Sequence, residues 1–323
     1  MKICTSTIFS SKTRSVADAL IQVINHDLAA YQPLTVRQAY YQLVGRQIIP
    51  NSLDQYRVVS RVLVRLREEG LVPWAAIEDR TRRTTEKRGV SNVSGWLETE
   101  ARALFNPRNY GRCLVQGQRV HVEITTEKDA LSAILEDVVY PYCVRMNVIR
   151  GQASATMTEQ IARRFDQAIM DNKRPVLIHF GDLDPSGVAI PKALQRNLAD
   201  RHGIDAEVIR AALNPDQVDL FALPGSPDAV KSQDPNHGAW LREYGPSQPA
   251  VELDALHPKD LQDILRAALI DVFDMEDFSA QKQQEARDRE LIKEIRKYAL
   301  ACVGRRYGNE VPFAADYAGG EIC

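Results

Sequence analysis

The chain has 323 residues, 44% hydrophobic and 26% charged, with a formal net charge of −2. That is long enough for two domains with buried cores, and the balance is that of an ordinary water-soluble globular protein. No apolar run approaches the roughly 18 residues of a membrane span, the first residues lack a signal-peptide core, and the five scattered cysteines form no Cys-x-x-Cys pair. These features argue against zinc and a disulfide framework and predict a cytoplasmic protein.

The small net charge hides an asymmetry. Residues 1–120 carry 18 Lys and Arg against 10 Asp and Glu, whereas residues 121–323 carry 23 against 33. A basic front and an acidic rear predict a nucleic-acid-facing part joined to a metal-binding part.

In chain order, Val16, Leu20, Ile21, Ile24 and Leu28 predict a helix over 13–29. Thr35 with Gln38 three residues on is a capping box that opens a second helix, ending near Gly45. A third runs from Ser52 or Asp54 to Glu69, closed by Gly70. Its Val59, Val62, Leu63 and Leu66 form a core stripe, while Arg57, Arg61 and Arg65 repeat every four residues on another face, with no acid within 55–67 to pair them. Val72 to Ile77 then reads as a short strand leading into a wing, followed by Arg80, Arg82, Arg83, Lys87 and Arg88. Three helices and a β-element predict a winged helix-turn-helix, with Arg57, Arg61 and Arg65 facing double-stranded DNA.

Residues 106–111 mark a boundary, giving domains at 1–112 and 113–323. A β-rich run from His121 to Thr126 turns at Glu127-Lys128 into an apolar helical pattern to about Val139. A strand from Cys143 to Ile149, a helix from Met157 to Met170, and the apolar run Pro175 to Phe180 follow. The last exits into Gly181-Asp182-Leu183-Asp184-Pro185-Ser186-Gly187. A helix over Val188–Ala199 and a strand over Glu207–Leu213 complete an alternation that predicts a parallel α/β sheet. Residues 224–250, rich in Pro, Gly and Ser, read as a long mobile loop, and helical sequence runs on through Ala301.

Two carboxylates two residues apart at a strand's end repel unless a cation lies near them, and all-oxygen ligation suits Mg²⁺. Ligands of open α/β sheets gather at the carboxyl ends of strands, so Glu127 is expected on the same rim as Asp182 and Asp184. On the second helix Tyr40 falls on the core side, whereas Tyr41 lies beside Arg37 and is expected to be exposed. A tyrosine can attack a phosphodiester and conserve its bond energy as a phosphotyrosyl link. Reaching phenolate near neutrality takes about 3 pH units, or about 4 kcal/mol, to which Arg37 and a metal ion can contribute.

The strand–Glu127 and Asp182-x-Asp184-Pro185-x-Gly187 segments, in that order, resemble a Toprim domain, the metal-binding module of topoisomerases, primases and some nucleases. With Arg37-Gln38-Ala39-Tyr40-Tyr41 ahead of them, residues 30–260 resemble the A subunit of type IIB topoisomerases and the related meiotic double-strand-break proteins. The resemblance implies a winged helix followed by a Toprim domain with a helical C-terminal extension. It implies Tyr41 as nucleophile, and Mg²⁺ (or Mn²⁺) on Glu127, Asp182 and Asp184. Arg37 and Lys128 would assist at the phosphate, and a homodimer would join one protomer's tyrosine to the other's metal site. The chain carries no ATPase module or Gly-rich phosphate loop, and whether a separate ATPase subunit acts in trans is left open. Glu252-Leu253-Asp254-Ala255-Leu256 is similar to a late stretch of that family, without an assigned role. Two alternatives stand beside this expectation: a hydrolytic Toprim nuclease, as in phage defence, and a non-catalytic winged-helix DNA-binding protein.

Overall fold

The computed structural model describes residues 9–78, 92–225, 230, 233–317 and 319. It is an α/β fold in which several helices precede a small parallel sheet. The chain divides into two compact units, one of residues 1–82 and 119–273, the other of 83–118 and 274–323. This grouping cuts the chain differently from the expected 1–112 and 113–323 partition, which was drawn from chain order and composition.

The first unit opens with α1 (Ser11–Gln22), which continues through a π-helical turn, Val23–Asp27. Next come α2 (Val36–Gly45) and α3 (Leu53–Glu68). The capping box forms as predicted: the Gln38 amide donates to Thr35 Oγ1 at 3.3 Å, and the Thr35 amide donates to Gln38 Oε1 at 2.7 Å. Ser52 caps α3 through the Gln55 amide. Gly70, at φ +71°, ends α3 in a Schellman arrangement, with Leu71 N–H on Leu66 O and Gly70 N–H on Arg67 O. Leu20, Ile24, Leu43, Leu63 and Leu66 are fully buried where the three helices meet. The strand expected over 72–77 is instead a 3₁₀ turn, Trp74–Ala76, with one isolated parallel bridge from Ile77 to Leu34. Pro73 lacks the N–H a ladder needs there. The basic residues from Arg80 to Arg88 lie outside the described residues. After α4 (Val93–Ala103), which belongs to the second unit, the sheet begins.

Strands β1 (Val120–Thr126), β2 (Arg145–Val148), β3 (Arg174–Phe180) and β4 (Glu207–Ala212) run parallel in the order β2-β1-β3-β4. Between them lie α5 (Ser132–Val139), α6 (Ala155–Met170) and α7 (Pro185–His202). With the right-handed crossovers expected of parallel units, this strand order puts α5 on one face of the sheet and α6 and α7 on a second. On that second face Ile161 and Phe165 pack with Leu177, Leu194 and Leu198, all essentially buried. Beyond β4 come α8 (Pro215–Leu220), α9 (His237–Tyr244) and α10 (Pro258–Val272). The loop expected over 224–250 therefore contains a helix, α9, anchored by buried Trp240, whose ring lies 4.6 Å from that of Tyr244 at a 38° tilt.

The second unit joins α4 to α11 (Met275–Tyr307) and the short α12 (Pro312–Ala315). Ala101, Leu300, Val311 and Ala314 form its core. The helical sequence thus runs past Ala301 to Tyr307. A Cβ on Gly304 would lie 2.0 Å from the Ala314 carbonyl oxygen, so glycine lets α12 pack directly on α11. Among the described residues no helix is long and apolar enough to cross a membrane.

Candidate functional site

The site sits at the carboxyl ends of β1 and β3, neighbours paired from Val120–Arg174 to Thr126–Phe180. Glu127 leaves β1 with its amide on the Phe180 carbonyl, 3.1 Å away, and its carboxylate accepts from the Asp182 amide. Asp184 is the N-cap of α7: its Oδ1 takes the Gly187 amide at 2.6 Å, with Pro185 in the first helical position, where no N–H is needed. The three acids predicted to share a rim are thus held on adjacent strand ends.

Backbone contacts fix this loop tightly. A Cβ on Gly187 would meet the Asp182 carbonyl oxygen at 2.3 Å, and one on Gly181 would meet His179 Nε2 at 2.6 Å. Pro191 within α7 has no N–H to give to the Gly187 carbonyl. Arg210 of β4 supplies that bond at 3.0 Å and also donates to the carbonyls of Gly181 (3.2 Å), Asp182 (2.5 Å) and Leu213 (2.9 Å). One guanidinium therefore sets the path of the whole Asp-x-Asp loop. On its other side, Leu183 and Val251 exchange two backbone hydrogen bonds of 2.9 Å, and the Leu253 amide donates to Asp182 Oδ1 at 2.7 Å.

That bridge delivers Glu252 and Asp254 to the rim, and with them the main electrostatic feature of the site. Lys128 Nζ lies 2.8 Å from Asp182 Oδ1, 2.8 Å from Glu252 Oε2 and 2.6 Å from Asp254 Oδ2. Burial opposes its charge, but the three carboxylates outweigh it and hold the ammonium protonated. Against its own burial, Glu252 is held down to about 2 by Lys128 and Arg37. Glu127 is not offset in this way: burial, then the charge of Asp182, outweighs the pull of Lys128 and pushes its carboxyl up to about 7, and its Oε2 is buried without a hydrogen bond.

Arg37, on α2, pairs with Glu252 and lies 3.6 Å from Asp254. Tyr40 is a packing residue as expected, its hydroxyl fixed by Asn51 and Ser52. Tyr41 differs from expectation. It is 4% exposed rather than open to solvent, with Arg37 5.9 Å from its ring centroid and its hydroxyl against Glu252. Burial and the Glu252 charge push its phenol well above the usual range. The helical wheel gave the correct side of α2, but not that the turn Leu253–Ala255 packs on it.

Arg57 and Arg61 flank a hollow of about 680 Å³ on α3, with Tyr56 and Ser60. Arg57 pairs with exposed Asp54 at 3.2 Å, just outside the acid-free window, and Arg65 lies over the Phe9 ring at 5.6 Å. These arginines lie on α3, apart from the acid cluster.

Three polar groups, two of them fully buried, carry no motif in the sequence. Glu123 of β1, fully buried, is clasped by Arg164 at 2.6 and 2.7 Å and by Asn147 at 2.8 Å. His179 bonds Thr125 through Nδ1 at 3.0 Å. Arg210 gave no signal beyond lying in a β-rich run.

Among the described residues, no group of three or more His, Cys, Asp or Glu side chains is gathered to hold a metal ion as it stands. The unsatisfied Glu127 oxygen, facing the charge of Asp182 and Asp184, is the feature a divalent cation would satisfy. No family model, curated protein or solved structure matches the chain.

Proposed function

We propose that the chain is a winged-helix and Toprim-type DNA-cleaving protein in which Tyr41 attacks the phosphodiester and Glu127, Asp182 and Asp184 hold Mg²⁺. The observation that carries this reading is the meeting of two distant segments. The Arg37–Tyr41 turn of α2 is tied through Glu252 to Lys128, which follows Glu127 and touches Asp182. Bound there, Mg²⁺ would act as a Lewis acid toward the phosphate and the developing charge. Arg37 and Lys128 supply fixed positive charge at the phosphate, and the α3 arginines a surface for the duplex. Because Tyr41 and the acids meet within one chain, the reading has the tyrosine serve the acids of its own protomer; a homodimer on the duplex and a separate ATPase belong to the same proposal.

Trapping tests it: the protein is incubated with duplex DNA and Mg²⁺, denatured, and assayed for DNA covalently attached through Tyr41. Wild type should form the adduct and Tyr41→Phe should not. Equal cleavage by Tyr41→Phe would transfer the reading to water as nucleophile. The buried, protonated phenol favours that second reading, a hydrolytic Toprim nuclease.

A further inference from the structure

Three donors from two separate stretches of the first unit converge on one carboxylate. Arg37 pairs with Glu252 Oε2, Lys128 Nζ reaches the same oxygen at 2.8 Å, and the Tyr41 hydroxyl stands against the same group. A guanidinium, an ammonium and a hydroxyl around a single anion form the donor set that binds a phosphodiester.

We propose that Glu252 is an internal stand-in for a nucleic-acid backbone phosphate, filling the subsite offered by Arg37, Lys128 and Tyr41 until DNA displaces it. The proposal rests on the DNA-cleaving reading above and names the residue that closes its phosphate subsite.

Accessibility marks Glu252 as the exchangeable member. Its side chain is 16% exposed and that of Arg37 is 46% exposed, whereas the Asp254 side chain is fully buried. When Glu252 withdraws, Lys128 keeps Asp182 and Asp254 as partners, so the ammonium is not left alone. Arg37 loses its main partner and is free to take a phosphate oxygen. The same displacement frees the Tyr41 hydroxyl from Glu252 to donate to a phosphate oxygen.

The test measures anisotropy of a fluorescein-labelled DNA duplex with the full chain in EDTA, across a salt series. Glu252→Gln should bind about tenfold more tightly, a change of about 1.4 kcal/mol, and its salt slope should steepen by about one phosphate contact. Arg37→Gln should shift both quantities the other way. Glu252→Asp, one methylene shorter and still charged, should show a smaller gain, so the test stands if the glutamine variant does not fold. Equal or weaker binding by a folded Glu252→Gln, with an unchanged slope, overturns this proposal alone. No duplex binding by wild type or any variant at low salt overturns it together with the DNA-cleaving reading.

Discussion

Lys128 Nζ stands 2.8 Å from Asp182 Oδ1, so the residue after one strand's acid neutralises the acid after its neighbour. The ammonium is a structural cation at the rim of the sheet. Replacing it with methionine leaves Asp182, Glu252 and Asp254 facing one another without the ammonium that touches all three. Breaking a buried pair from one side costs about 3–5 kcal/mol. Urea unfolding of Lys128→Met should show a loss in that range, and a loss below about 1 kcal/mol would remove the ion cluster from any account of stability.

Glu127 gives a pH signature. Its carboxyl sits at about 7 in the fold against 4.5 for the free side chain, so between those values the folded state holds a proton that the unfolded state has lost. Its contribution is full below about pH 4.5 and is lost as pH rises through 7. Glu127→Gln should therefore be more stable than wild type at pH 8, with the difference vanishing near pH 4. Mg²⁺ should raise the melting temperature of wild type at pH 8 and leave that of Glu127→Gln unchanged. A variant that follows the wild-type curve at both pH values would contradict the shift.

His179 acts in the opposite direction. Buried and near Arg210, its imidazole is pushed down to about 3 from 6.5. The unfolded chain takes up a proton that the fold refuses, so stability falls as pH drops from about 6.5 toward 3. His179→Gln, which keeps a polar group near Thr125, should flatten that acid limb in denaturant titrations. An equally steep limb would assign the loss to Glu123 and the other paired carboxylates.

Gly187→Ala tests the close approach of the Asp-x-Asp loop. Its new methyl would meet a carbonyl oxygen, which cannot rotate away, at 2.3 Å. Destabilisation of about 1–3 kcal/mol is expected. Gly111→Ala, whose Cβ would meet nothing within 4 Å, is the matched control. Equal melting temperatures for the two variants would contradict the packing described.

The exposed face of α3 carries the last prediction. Arg61→Glu with Arg65→Glu should weaken duplex binding at least tenfold and flatten its salt dependence by about two contacts. Filter binding across a salt series measures both. Unchanged binding would remove α3 from the proposed DNA interface.

Local signals read well from the sequence. The Thr35–Gln38 box, the Ser52 start of α3 and the apolar runs of β1 and β3 depend on residues a few positions apart, and they fold as that spacing dictates. The rim shared by Glu127, Asp182 and Asp184 was legible because parallel strands must end on one side. Other features depend on distance along the chain. Arg37 and Glu252 are 215 positions apart and Lys128 and Glu252 are 124 apart, and no periodicity links them. For the same reason the burial of Tyr41 was hidden. Helix α9 was missed because Pro and Gly dominate its surroundings, while one aromatic, Trp240, anchors it.

The second unit is assembled from two excursions, 83–118 and 274–323, on either side of the sheet-bearing segment. No single cut can therefore release it. Protease cleavage after residue 273 followed by loss of the tail would strand Leu97, Ala101 and Leu104 without the apolar neighbours supplied by Leu300, Val311 and Ala314. A shortened protein of that kind would carry a sticky, half-made helix in its middle, so aggregation rather than a tidy soluble fragment is the expected product.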